Sequence, residues 1–467
     1  MEKQNDVIKA VLIGAGSRGQ EAYGKWAKNN KDKLQFVAVA EPHKPRRDSF
    51  AKEWNVDQKN QFDTWEELLN EKVGQIADCC LVCTPDQLHT APAIKALRLG
   101  YHVLLEKPMA PTEVECKELI KVAKETRRQL RICHVLRYTE FFSRVKTAIE
   151  EGLIGDIISI QHSENVAYWH FGHSYVRGMY RRASESTPVI LAKSCHDLDL
   201  IFYMVNSPTK TVHSFGELSH YRAENAPEGA PKRCTDGCPI EKECPWFAPR
   251  LYMRAEPLAR ISLRSKNLIL RLLGKLNLNH PKFIKFLSYL IKPLSSLVNW
   301  NHWPATAITD ELSPEGKMKA LQEGPYGRCI YYCDNDVPDH QVVNLLFENG
   351  VTATLTMHGH SYLDGRWVRI DGTKGTLKGH FTYGGEELVY YDHRYVEEKV
   401  LWERGITFSA HGYGDERLME SFVHSLQTGE STDTLTSAQA SLESHLMGFA
   451  AEKSRLENRV INMDEMR

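Results

Sequence analysis

Along residues 7–135, short and continuously apolar runs alternate with amphipathic stretches. The apolar runs are Ile8–Ile13, Phe36–Ala40, Asp78–Cys83, Tyr101–Leu105 and Leu130–Cys133. Each reads as a strand buried on both faces. Between them, Gln20–Asn29, Thr64–Asn70, Thr90–Leu99 and Thr112–Thr126 have helical spacing. This alternation predicts a parallel, doubly wound sheet. The pattern changes downstream. Val342–Phe347, Thr352–Met357 and Trp367–Ile370 alternate as strands, with turn residues at Asn349-Gly350 and Asp364-Gly365. They predict an antiparallel meander, closed by helices at Ser421–Leu426 and Ala438–Ala451.

The first strand runs straight into Gly14-Ala-Gly16-Ser17-Arg18-Gly19. In this pattern the first glycine allows a tight turn, the second lets backbone approach a pyrophosphate, and the third lets the helix pack on the sheet. The helix start then offers free N–H groups and a positive dipole end to phosphates. An acid, Glu41, stands about twenty residues on, where such a fold grips the adenosine ribose. A carboxylate there favours NAD. His43, Lys44, Arg46 and Arg47 follow and keep NADP open as the alternative, unless they are simply a solvated helix start.

Ligands of doubly wound sheets sit beyond the carboxyl ends of the strands. Leu105-Glu106-Lys107-Pro108 follows the strand at Tyr101–Leu105, which places the Lys107 ammonium where it can hold a substrate hydroxyl. Together with Cys83-Thr84-Pro85-Asp-Gln-Leu-His89 and the glycine turn, this tripeptide resembles the glucose–fructose oxidoreductase, inositol dehydrogenase and rhizopine catabolism family. The resemblance continues through Arg137-Tyr138, Gly155-Asp156-Ile157, His196-Asp197-Leu198-Asp199, 339–357 and 370–375. It skips about 220–330.

The resemblance implies an α/β chain: a dinucleotide-binding Rossmann domain over 1–135 and a second α/β domain over 136–467. The second domain has a large, open, mainly antiparallel sheet and an insertion at about 220–330. The resemblance also implies NAD or NADP as cofactor, sugar or cyclitol substrates, and homo-oligomers built on that sheet. It assigns the cofactor site to Gly14, Gly16, Ser17, Arg18, Gly19, Glu41, Thr84, Pro85, His89, Glu106 and Lys107. His196 matches the family histidine that faces the nicotinamide, and an imidazole suits proton removal from a hydroxyl.

The family aspartate four residues earlier is absent: Ala192 stands there, followed by Lys193. Lys193 is therefore a candidate base, with the solvent-facing helix start as its plain reading. Asp199, three residues past His196, is the better-placed partner to orient it. Arg137 and Tyr138 suit gripping hydroxyls or a carboxylate. Tyr168, Trp169, His170, His173, Tyr175 and Arg177 form an aromatic, histidine-rich cluster for stacking on a sugar or for packing a core. His411-Gly-Tyr-Gly-Asp415 reads as a loop that closes over the site or caps the next helix.

At 467 residues the chain is long enough for two domains. Its net charge of −1 offers no field for nucleic acid. No apolar run approaches the roughly 20 residues of a membrane span, and the first residues lack the features of a signal peptide. The expected location is the cytoplasm, where the 11 cysteines stand as thiols or metal ligands. Cys234, Cys238, Cys244 and Cys333 are the candidate zinc ligands, at looser spacing than paired CxxC motifs. Residues 258–299 carry leucine and isoleucine at helical spacing with Arg260, Arg264, Lys266, Arg271, Lys275, Lys282, Lys285 and Lys292 and no acid. Such a stripe can lie on an anionic membrane or cover a partner, but is expected to pack on its own domain. Trp300, His302 and Trp303 read as a lid tip.

The leading functional reading is hydride transfer at a hydroxyl carbon of a sugar, glycoside or cyclitol. A second is a lyase or glycosidase that retains NAD, oxidises transiently, eliminates and re-reduces. A non-catalytic dinucleotide sensor is disfavoured, since both Lys107 and His196 are in place.

Overall fold

The computed structural model describes residues 7–254, 256–263, 267–291, 299–406, 411–429 and 435–467. Two sheets organise them. The first has six parallel strands in the order β3-β2-β1-β4-β5-β6. These are β1 (Ile8–Ile13), β2 (Leu34–Ala40), β3 (Gln61–Phe62), β4 (Cys79–Val82), β5 (His102–Leu105) and β6 (Leu130–Ile132). The chain order reverses between β1 and β4, so the crevice for a ligand opens at the end of β1, at the glycine turn. The β3 edge strand, two residues long, carries no apolar run and was not anticipated. After the turn, Arg18–Gly24 winds as a wide π-type segment before the regular helix Lys25–Asn29.

The second sheet has nine strands in the order β14-β13-β12-β11-β7-β10-β9-β8-β15. They are β7 (Ile157–Ala167), β8 (Thr209–Glu217), β9 (His340–Phe347), β10 (Thr352–Ser361), β11 (Gly365–Gly372), β12 (Gly375–Thr382), β13 (Gly385–Asp392), β14 (Glu398–Arg404) and β15 (Ile461–Asn462). Every pairing is antiparallel except β7 with β10. Along β9 and β10, buried residues alternate with half-exposed ones, the period of a sheet covered on one face. The covering layer is helical: Glu140–Glu150, Cys195–Val205 and Ala438–Glu457.

The last of these helices also reaches the first domain. It packs on helix Glu113–Thr126, and Ala438, Leu442 and Phe449 join the apolar core beneath the parallel sheet. Just before it, Ser437 bridges Arg131, and the Ile132 N–H donates to the Thr436 carbonyl at 2.9 Å.

The insertion folds as short helices, among them Leu268–Asn279 and Pro281–Leu290. Its basic stripe does not pack wholly onto its own domain, because Leu268, Ile269, Phe286 and Leu290 stay exposed. Arg264, Lys266 and Lys292 lie outside the described residues. Among the described residues no helix is long and apolar enough to cross a membrane.

Candidate active site

The glycine turn is as tight as its pattern requires. Gly14 has φ +92°, and a Cβ there would come 2.5 Å from the Cys83 carbonyl oxygen. A Cβ on Gly19 would sit 2.3 Å from the Gly14 carbonyl oxygen. A Cβ on Gly16 would meet nothing within 4 Å, so backbone faces open space where a pyrophosphate would approach. Glu41 leaves β2 and accepts from the Ala15 N–H at 2.8 Å and the His43 N–H at 2.9 Å, clamping the turn. These features fit a dinucleotide. Three of the four nearby basic residues already have acids: Lys44 pairs with Asp48 at 2.5 Å, Arg47 with Asp63 at 2.5 Å and His43 with Asp310 at 3.1 Å.

β4 and β5 deliver the next layer. Thr84 Oγ1 donates to the Leu88 carbonyl at 2.9 Å. Pro85 opens the short turn that follows. The buried His89 ring lies 2.7 Å from the Pro108 carbonyl and 2.9 Å from the Thr84 carbonyl. It therefore ties the ends of the two strands together. Glu106 accepts from Arg18 Nε at 2.6 Å and from the Tyr23 hydroxyl at 2.5 Å. Burial would raise its carboxyl, but Arg18 and Tyr23 hold it below its ordinary range. Arg18 also donates to Asp415, and Asp415 in turn contacts His411 Nδ1 at 2.9 Å. The 411–415 loop thus closes onto the first domain. Ser17 lies at the cavity rim, with its hydroxyl 3.2 Å from Glu21.

Lys107, Lys193 and His196 converge on one cavity of about 560 Å³, between the two sheets and beyond the ends of the parallel strands. Its wall also includes Glu164, His170, Tyr175, Tyr180, Trp303, Asp364, Arg366, Tyr383 and His411. The Lys107 ammonium donates to the Ala192 carbonyl at 2.8 Å. At the position where the family aspartate is missing, a main-chain oxygen therefore holds the lysine. His196 is buried, and its Nδ1 has no hydrogen-bond partner among the described residues. Burial, followed by Lys107 and the neighbouring His134, pushes its pKa well below the ordinary imidazole value. The ring is therefore neutral at physiological pH.

Lys193, half-buried at the helix start, turns into the cavity. Its ammonium pairs with Glu164 at 3.1 Å. Arg366 places Nη2 2.6 Å from the other Glu164 oxygen and Nε 2.8 Å from Asp197. Burial pushes the Glu164 carboxyl up to about 7, against the pull of Arg366 and Lys193. Burial would also raise Asp197, but Arg366 and His162, the latter at 2.7 Å, hold it low.

Several expectations are corrected here. Asp199 does not orient His196: it receives a two-pronged contact from Arg137 at 2.7 and 2.6 Å. Arg137 is therefore consumed in a buried ion pair and does not line the cavity. Tyr138 is buried against the Thr436 hydroxyl at 3.1 Å and is likewise absent from the wall. Of the aromatic cluster, His170 and Tyr175 reach the cavity, whereas Trp169 packs on Trp303 at 5.5 Å and Tyr168 on Trp246 at 6.2 Å. Of the expected lid tip, Trp303 lines the cavity, whereas Trp300 and His302 do not and meet edge-to-face at 5.2 Å.

Zinc is not supported. Among the described residues no group of three or more His, Cys, Asp or Glu is placed to hold a metal. Cys234 lies against the Arg177 guanidinium at 3.6 Å, and the Cys333 thiol donates to the Cys329 carbonyl at 3.3 Å. Cys238 and Cys244 are free thiols as well.

Sequence reasoning missed Glu164, Asp364, Arg366, Tyr383 and the part played by His411. The one available signal was the alternation of β7, which turns His162 and Glu164 inward together.

Residues 8–134 match the model of the oxidoreductase family with an NAD-binding Rossmann fold. Over 400 residues, 83% of this chain and 82% of the other, the chain is 20% identical to a putative oxidoreductase, YteT, of Bacillus subtilis. It is 26% identical over 215 residues to the 2,7-anhydro-N-acetylneuraminate hydratase of Escherichia coli, a match spanning 46% of this chain and 54% of that protein. A levoglucosan dehydrogenase solved with NADH and levoglucosan superposes with a TM-score of 0.63 at 15% identity, covering 98% of this chain and 99% of that one. At that identity the likeness speaks for the fold.

Proposed function

Because residues 8–134 match the oxidoreductase family with an NAD-binding Rossmann fold, we propose that the chain is an NAD-dependent dehydrogenase acting on a hydroxyl carbon of a sugar, glycoside or cyclitol. The observation that carries this reading is the cavity at the end of the parallel sheet, whose wall brings together a lysine ammonium, a neutral imidazole and Ser17 of the glycine turn. Glu41 and the ion-paired state of its basic neighbours favour NAD over NADP. NAD, when bound, supplies the hydride acceptor.

The chain's own residues do the remaining work. Lys107, oriented by the Ala192 carbonyl, donates to the substrate oxygen and stabilises the negative charge that grows there. His196 accepts the hydroxyl proton. Lys193 and Arg366, each held by Glu164, grip further hydroxyls, and Trp303 covers the ring face. The test is NADH formation across a panel of sugars, glycosides and cyclitols, repeated with Lys107→Ala. The expected result is a loss of kcat of about a hundredfold or more with NAD affinity retained. An unimpaired Lys107→Ala enzyme overturns the mechanism.

A redox-neutral lyase or glycosidase is the second reading, and one observation favours it. The insertion crosses the cleft, with Trp303 on the cavity wall and Asp310 paired to His43 beside Glu41. Such a strap suits a cofactor that stays bound. Turnover by the protein as purified, with no added NAD and no net NADH, would establish it in place of the first.

A further inference from the structure

We propose that the helix pair Leu268–Asn279 and Pro281–Leu290 is a docking surface that seats the protein on an anionic lipid bilayer. The inner side of the first helix is already used: a Cβ on Gly274 would come 1.9 Å from Ser262 Oγ on the preceding helix. Ile284 fills the same role on the second, fully buried. The opposite sides are apolar and uncovered. Leu268, Ile269 and Leu272 on one helix, and Phe283, Phe286 and Leu290 on the other, are between 50% (Phe283) and 71% (Leu290) exposed. At 3.6 residues per turn, the last three fall within roughly 60° of one another. Scattered exposed apolar residues are ordinary, but six on two successive helices are not.

Charge decides what covers this face. From Pro257 to Thr309 the chain has eight lysines and arginines and no acid. Arg271 and Lys275 lie one turn apart beside Leu272, and Lys282 borders Phe286; all three are exposed and unpaired among the described residues. A two-fold contact with a second copy would set these cations against one another. An anionic bilayer accepts both parts: the leucines and phenylalanines enter the boundary of the acyl chains, while lysine and arginine meet phosphates above it.

The test is flotation of the full chain with phosphatidylcholine vesicles, with and without phosphatidylserine, at low and high salt. The protein is expected to float with the anionic vesicles only and to be released by salt. Phe286→Ser with Leu290→Ser should abolish flotation. Lys275→Ala and Lys282→Ala should each weaken it about fivefold. Circular dichroism and NAD binding unchanged in these variants show that the fold is kept. Absence of flotation with anionic vesicles overturns the proposal. So does flotation indifferent to the Phe286/Leu290 changes, or a concentration-dependent dimer in sedimentation that those changes dissolve.

Discussion

At the scale of single residues, the site divides into groups that face substrate and groups that hold those in place. His196, buried and neutral, is the proposed proton acceptor, whereas Lys193 is tied to a carboxylate. Steady-state kinetics should therefore separate them. His196→Asn is expected to lower kcat by about a hundredfold or more, and Lys193→Met to act mainly on KM. The reverse split would make Lys193 the base. Arg137 belongs with the holders. Arg137→Ala leaves Asp199 in the interior without its guanidinium partner, and is expected to remove about 3–5 kcal/mol of stability in urea denaturation. Lys107 and His196 were legible from local motifs because strand ends and helix starts position them. Glu164 and Arg366 were not, since facing strands of a long sheet bring them together and a sequence does not display that register. Arg137 misled for a related reason: its partner, Asp199, is 62 positions away.

Among elements, the strand–turn–helix at β1 carries the strongest local constraint. Gly14 combines positive φ with a neighbouring carbonyl closer than any Cβ tolerates. Gly14→Ala should lose about 1–2 kcal/mol from the backbone alone and more from the contact, with NAD binding weakened in parallel. Calorimetric melting and fluorescence titration of NADH check both. The parallel strands were readable because burial on both faces leaves uninterrupted apolar runs. β12 to β14 were not picked out. Glycines, threonines and charged residues interrupt their apolar positions, and β14 is largely exposed. The insertion could be delimited but not folded in advance, because its aromatic residues find partners in distant segments, as Tyr326 does with His173 at 4.9 Å and Tyr221 with His360 at 5.0 Å.

For the whole molecule, buried histidines set the acid limit. Burial holds His173 neutral down to about 3, while an unfolded imidazole takes a proton near 6.5. Between those values the unfolded chain binds more protons, so stability falls as pH drops below about 6.5. Burial also pushes His134, His196 and His445 down, in the same direction. The expected loss from His173 alone approaches about 2 kcal/mol between pH 6.5 and 5. Denaturant midpoints across that range measure it, and a flat profile would contradict it.

The helix Ala438–Glu457 has a consequence in time as well as in space. The parallel sheet is synthesised first, yet Ala438, Leu442 and Phe449 complete its core, and Thr436 satisfies the backbone of its last strand. A nascent chain emerging from the ribosome therefore carries an unfinished nucleotide-binding half until some three hundred later residues have been made. Through that interval the apolar underside that the helix later covers stays bare.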